Sequence, residues 1–83
     1  MNNIILKKET MKMLEKIETL INKIKISNKK GEEMFENMNA YIADSRYFLK
    51  KKNYLKSFEA IVFAYGILET CIDLGVFIIA YNP

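Results

Sequence analysis

Eighty-three residues, thirteen of them Lys or Arg against ten Asp and Glu, make one small domain with a formal charge of +3. There is no His and one Cys, which excludes His-based acid–base or nucleophile systems, Cys/His zinc sites and a disulfide framework within the chain. With 51% hydrophobic and 28% charged residues, one Pro and three Gly, the composition excludes a disordered chain and points to an all-α fold.

A chain this short buries only about 60–65% of its unfolded surface, so its core must be efficient or shared with a partner. Charge is uneven. All thirteen cations fall in residues 1–59, while residues 60–83 carry only Glu69 and Asp73. A segment so bare of charge belongs to a core, an interface or a membrane.

The spacing predicts a first helix over residues 3–29. Leu14, Ile17, Ile21 and Ile24 recur at helical intervals, flanked by Met13 and Leu20, with Lys and Glu on the opposite face. Residues 27–31, Ser-Asn-Lys-Lys-Gly, end it, with Gly31 expected as a left-handed cap or turn residue. A second helix is expected over 32–51. Glu32, Glu33 and Glu36 suit its positive N-terminus, and Met34/Phe35, Met38, Tyr41/Ile42, Ser45 and Phe48/Leu49 lie along its stripe. Lys50, Lys51 and Lys52 complement its C-terminus, and Asn53 is expected to take the left-handed turn conformation.

A third helix is expected over 54–79, apolar nearly all round. One face carries Leu55, Phe58, Val62, Tyr65, Ile72, Val76 and Ile79; another carries Ile61, Ala64, Ile67/Leu68, Cys71, Leu74 and Ile78. Such a helix is covered on more than one side. Ala60 and Ala64 allow a close neighbour, and Gly66, costly inside a helix, calls for a packing reason. Short connections between three helices give a single up-and-down bundle over residues 1–83. Cys71, within an apolar run, reads as a buried, inert thiol, which with the absence of a disulfide fits a reducing cytoplasm. The N-terminus has no signal-peptide pattern. Residues 60–81 have the length of a membrane span, but Glu69 and Asp73 oppose insertion.

The string Tyr41-x-x-Asp44-Ser45-x-Tyr47-Phe48, a break, then Tyr54-x-x-Ser57-Phe58-Glu59-Ala60-x-x-Phe63-Ala64-Tyr65-Gly66-x-Leu68-Glu69 is specific. It resembles the archaeal family catalogued as domain of unknown function 357, over roughly residues 41–75. The resemblance implies a compact, left-handed, up-and-down three-helix bundle of the spectrin-repeat or albumin-binding-domain kind, in an archaeal cytoplasm, and it implies no activity. The chain departs from the family pattern at Lys52-Asn53, where relatives tend to have Gly, and at Glu69, where they tend to have Asp.

Motif residues of functional interest are Tyr41, Asp44, Tyr47, Glu59, Tyr65, Gly66, Glu69 and Asp73. Glu69 and Asp73 stand one helical turn apart; with Asp44 opposite they would offer oxygen ligands to a hard cation, although solvated or structurally paired carboxylates are the commoner outcome. The rings of Tyr41, Tyr47, Tyr54, Tyr65, Phe48, Phe58 and Phe63 offer a binding surface, with core filling the expectation for the Phe residues. Arg46, Lys50, Lys51, Lys52 and Lys56 form a cationic cluster able to contact phosphates, or simply to complement a helix end. No nucleophile–base pair, phosphate-cradling loop or cofactor motif is present. The sequence therefore reads as a non-enzymatic interaction or scaffold module, self-associating or binding another protein through its apolar third helix. A nucleic-acid accessory role through the cationic cluster is the alternative.

Overall fold

The computed structural model describes residues 2–80. The elements run α1 (Asn3–Ile21), β1 (Ile24–Ile26), α2 (Lys29–Lys50), α3 (Tyr54–Asp73) and β2 (Phe77–Ile79). Helices α2 and α3 form a tight hairpin, and α1 lies chiefly along α3. The result is an up-and-down three-helix bundle closed at one end by a two-stranded antiparallel ribbon. Its register pairs Ile24 with Ile79, Lys25 with Ile78 and Ile26 with Phe77.

The ribbon corrects two expected helix ends. Helix α1 stops at Ile21, not residue 29, because Ile24-Lys25-Ile26, whose β-branched residues are compatible with either state, pairs with Phe77–Ile79. Helix α3 stops at Asp73, not residue 79. Gly75 there takes φ 75°, Val76 N–H donates to the Cys71 carbonyl at 3.0 Å and Gly75 N–H to the Ile72 carbonyl at 3.0 Å. This double closure around a left-handed glycine terminates the helix. The terminal segment, expected to continue as helix, instead becomes strand, and it seals the bundle with Phe77. That ring is fully buried and meets Phe35 edge-on at 6.0 Å.

Two turn assignments also change. Asn28 caps α2, accepting from Gly31 N–H at 2.8 Å, so Lys29-Lys30-Gly31 form the first helical turn. Gly31 is not a left-handed cap. A Cβ on it would sit 2.8 Å from Ile26 Cγ2 and 2.9 Å from the Val76 carbonyl oxygen, so glycine is there to let helix and ribbon touch. Between α2 and α3 the left-handed residue is Lys52, at φ 62°, and not Asn53. Asn53 caps α3 instead, accepting from Lys56 N–H at 3.3 Å.

The core joins Leu14 and Ile17 of α1, Met38 and Ile42 of α2, and Ile61, Ala64, Leu68 and Cys71 of α3 with Phe77. The buried stripe of α3 is thus Ser57, Ala60, Ile61, Ala64, Leu68 and Cys71. The other expected face is only partly covered, with Leu55, Val62 and Ile72 exposed, as are Leu74 and Ile78. Burial pushes the Cys71 thiol pKa up, which leaves it an inert core group. Among the described residues no helix is long and apolar enough to cross a membrane.

Candidate functional site at the α2–α3 hairpin

Two serines set the geometry of the hairpin. Ser45 Oγ donates to the Ser57 carbonyl at 2.8 Å, and Ser57 Oγ donates to the Ser45 carbonyl at 2.6 Å; the hydroxyls are 3.2 Å apart. Both residues are fully buried. Small hydroxyl side chains that bond the opposite backbone bring the two helices close together and satisfy every polar atom the contact buries. Ala60, one turn along from Ser57, and Ala64 continue the small-residue seam.

Close approach along the inner seam aligns what lies outside it. Tyr41 of α2 and Phe63 of α3 meet with ring centroids 5.4 Å apart. Both rings remain in solvent, Tyr41 38% and Phe63 58% exposed. Beside them runs an open groove of about 570 Å³ lined by Asn37, Ala40, Tyr41, Asp44, Phe63 and Ile67. It continues toward the hairpin turn as a shallower depression of about 300 Å³, which Asp44, Phe48, Lys56 and Glu59 share with the same two rings. Of the motif residues, Tyr41, Asp44 and Glu59 converge here.

The exposure of Phe63 overturns the expectation that it fills the core. Core positions of α3 follow Ser57, Ala60/Ile61, Ala64, Leu68 and Cys71, and Phe63 stands about 100° round the helix from Ala64. That offset was the signal available in the sequence. Asn37, Ala40 and Ile67, which complete the groove, carried no comparable signal.

Tyr65 and Glu69 belong to another surface. Tyr65 O–H donates to the Met13 carbonyl at 3.1 Å, tying α3 to α1. Burial first, then the nearby Glu69 carboxylate, pushes the Tyr65 pKa above its ordinary value. Asp73 ends α3, exposed. Asp44, Glu69 and Asp73 are therefore not gathered into one site, and among the described residues no group of three or more Asp, Glu, Cys or His side chains is placed to hold a metal ion. Gly66 is exposed, and a Cβ built on it would meet nothing within 4 Å. The packing reason expected for it is not found among the described residues.

The cationic cluster is divided. Arg46 turns to α1, with Nη2 at 2.6 Å and Nε at 3.1 Å from Glu18 Oε1. Lys51 Nζ lies 5.7 Å from the Tyr47 ring centre and Lys56 Nζ 5.4 Å from that of Phe48. Tyr47 and Phe48 are themselves in edge contact at 5.2 Å. Lys50 and Lys52 are exposed at the turn.

No curated protein matches the chain. The crystal structure of protein AF1782 from Archaeoglobus fulgidus, a DUF357 protein, is similar to it with 36% sequence identity and a TM-score of 0.86, covering 94% of this chain and 97% of that one. The model of the family described as protein of unknown function (DUF357) matches residues 7–77, so the likeness extends well beyond the hairpin into α1 and the ribbon. With this match over most of its length, the chain belongs to the DUF357 family.

Proposed function

We propose that the protein is a non-enzymatic interaction module whose working surface is the outer face of the α2–α3 hairpin. The observation that carries this reading is the Tyr41–Phe63 pair. Two touching aromatic rings stay partly in solvent beside an open groove, on helices that the serine pair ties together. Large apolar side chains left exposed beside a groove are a common signature of a docking surface. The chain's chemistry supports binding over catalysis, since it contains no His and, among the described residues, no group of three or more carboxylates placed to hold a metal ion.

Self-association through α1 and α3 is a second form of the same reading, favoured by the exposed Ile4, Ile5, Leu55 and Val62. A nucleic-acid role has less support, because Arg46 is engaged by Glu18 and two of the lysines lie over rings. An archaeal cytoplasm is the proposed setting, by analogy with the Archaeoglobus neighbour and from the single buried free cysteine.

Photo-crosslinking tests the surface. A crosslinking amino acid at position 63 is compared in host extract with the same probe at position 8, on the outer face of α1. A partner captured from 63 and not from 8 is the expected result. Identical products from both positions, or none from 63, would refute the assignment.

A further inference from the structure

Gly66 sits near the middle of α3, where any side chain of good helix propensity would stabilise the helix more. Among the described residues, nothing outside its own stretch of helix comes within 4 Å of where a Cβ would stand. It lies three residues after Phe63 and one before Ile67, both of which line the groove. Glu59, Phe63, Gly66 and Thr70 follow at intervals of four, three and four residues, so they form one strip along the helix. The strip is acidic, then aromatic, then bare. Across the groove Asp44 repeats the negative charge, and neither Asp44 nor Glu59 has a salt-bridge partner among the described residues. Lys56, which lines the same depression, lies over the Phe48 ring, 5.4 Å from its centre.

Resting on the reading of the hairpin face as a docking surface, we propose that its occupant is a cationic amphipathic helix of another protein, laid along α3 with its backbone passing over Gly66. A helix suits the site because the groove runs between two long antiparallel helices, where side-chain ridges of a third can settle. The only strands of the described chain lie in the ribbon, at the far end of the bundle from the α2–α3 turn, so strand addition has no edge to use here. The clearance at Gly66 lets a backbone come closer than any other residue would permit. Aliphatic residues of the incoming helix, spaced by three or four, meet Tyr41, Phe63 and Ile67; Lys or Arg on its flank meets Asp44 and Glu59.

The chain has no Trp, so a Trp-labelled probe peptide reports binding without background. The probe is a 20-residue helix-forming peptide with Leu at helical spacing and Lys flanks, beside a version with Glu in place of Lys. The Lys peptide is expected to bind the full chain at least tenfold more tightly than the Glu peptide. Asp44→Asn with Glu59→Gln should remove most of that preference and flatten its salt dependence. Gly66→Leu should weaken binding at least tenfold while the circular dichroism spectrum and melting temperature stay native. Equal affinity for the two peptides overturns the proposal, as does full binding by a folded Gly66→Leu chain. If the peptides fail while position 63 still crosslinks a partner, the basic-helix inference falls and the docking surface stands; if both fail, the surface reading falls as well. Sedimentation showing dimers that Gly66→Leu dissolves would make the occupant a second copy and also overturn the proposal.

Discussion

One substitution, Gly to Ala, should have opposite effects at two helical positions. At Gly31 the added methyl would lie 2.8 Å from Ile26 Cγ2 and 2.9 Å from the Val76 carbonyl oxygen. Carbon contacts settle at about 3.5–4.0 Å, so both neighbours must retreat. The Ile26 side chain is partly exposed and is able to swing away. Val76 is not free to move, since its carbonyl accepts from Ser27 N–H at 3.1 Å and its own N–H is bonded to Cys71 at 3.0 Å. Relief therefore means shifting α2 against the ribbon. Overpacking of this kind costs about 1–3 kcal/mol, while Ala returns at most about 1 kcal/mol of helix propensity. A net loss of up to about 2 kcal/mol lowers the melting temperature by up to roughly 15 °C in a domain of this size.

At Gly66 nothing stands within 4 Å of the new methyl. Only the propensity gain remains, about 0.5–1 kcal/mol. Urea and thermal unfolding followed by far-ultraviolet circular dichroism measure both, with an unchanged denaturant slope confirming that the same cooperative unit unfolds. A Gly31→Ala chain as stable as wild type would refute the close approach of ribbon and helix. A destabilised Gly66→Ala chain would show that the space before Gly66 is not empty.

The other predictions use the same unfolding assays. Ser45→Ala and Ser57→Ala should each cost about 0.5–1.5 kcal/mol, the worth of one buried hydrogen bond, and should couple in a double-mutant cycle by at least about 0.5 kcal/mol; strict additivity would deny the mutual contact. Thr10 Oγ1 is buried with no hydrogen-bond partner among the described residues, so Thr10→Val, close in shape, should stabilise by about 1 kcal/mol, and a loss would reveal a hidden partner. Lys52→Gly, which relieves φ 62° at an exposed turn, should also stabilise by about 1 kcal/mol, and no gain would mean that the strain is absent. The Tyr65 pKa is raised in the fold above the 10.0 of a free tyrosine. Above pH 10 the unfolded chain therefore releases this proton first, and stability falls as pH rises toward the folded value. Tyr65→Phe should lose that part of the alkaline decline, and an identical pH profile in both chains would contradict the buried hydroxyl.

The helices were legible because their cause is local. The stripes of Leu14 and Ile17, of Met38 and Ile42, and of Ile61, Leu68 and Cys71 recur at the helical period and form the core. The ribbon was not, because its cause is distant. Ile24–Ile26 and Phe77–Ile79 are three-residue runs separated by some fifty residues, and either continues a helical stripe until the other pairs with it. Gly31 misled for the same reason, since its role is contact with residue 76, which spacing along the chain does not reveal. At the hairpin, Tyr41, Asp44 and Glu59 were marked in advance by the motif. Phe63 was misplaced because a nearly all-apolar helix has a weak hydrophobic direction, against which its offset of about 100° from Ala64 is a faint signal. The carboxylates Glu69 and Asp73 share a turn of sequence, but the rotation of α3 carries Glu69 toward Tyr65 and the α1 seam, away from Asp44.

The same rotation leaves one hairpin face uncovered. Helix α3 is the shared wall of the bundle, joined to α2 through the serines and to α1 through the Tyr65 hydroxyl. Its ends are fixed by the Asn53 cap and the Gly75 turn, and beyond that turn the ribbon anchors the chain to α2 at Gly31. Every one of these ties is on the inner side or at an end. The outer strip from Glu59 to Thr70 has none of them, yet it belongs to the same helix whose inner face forms the core. A partner meeting Tyr41, Phe63 and the space over Gly66 would find a groove already formed, and preorganised sites lose less conformational entropy on binding. That is why Gly66→Ala is the informative variant: if the groove serves binding, a change that strengthens the fold should weaken the complex.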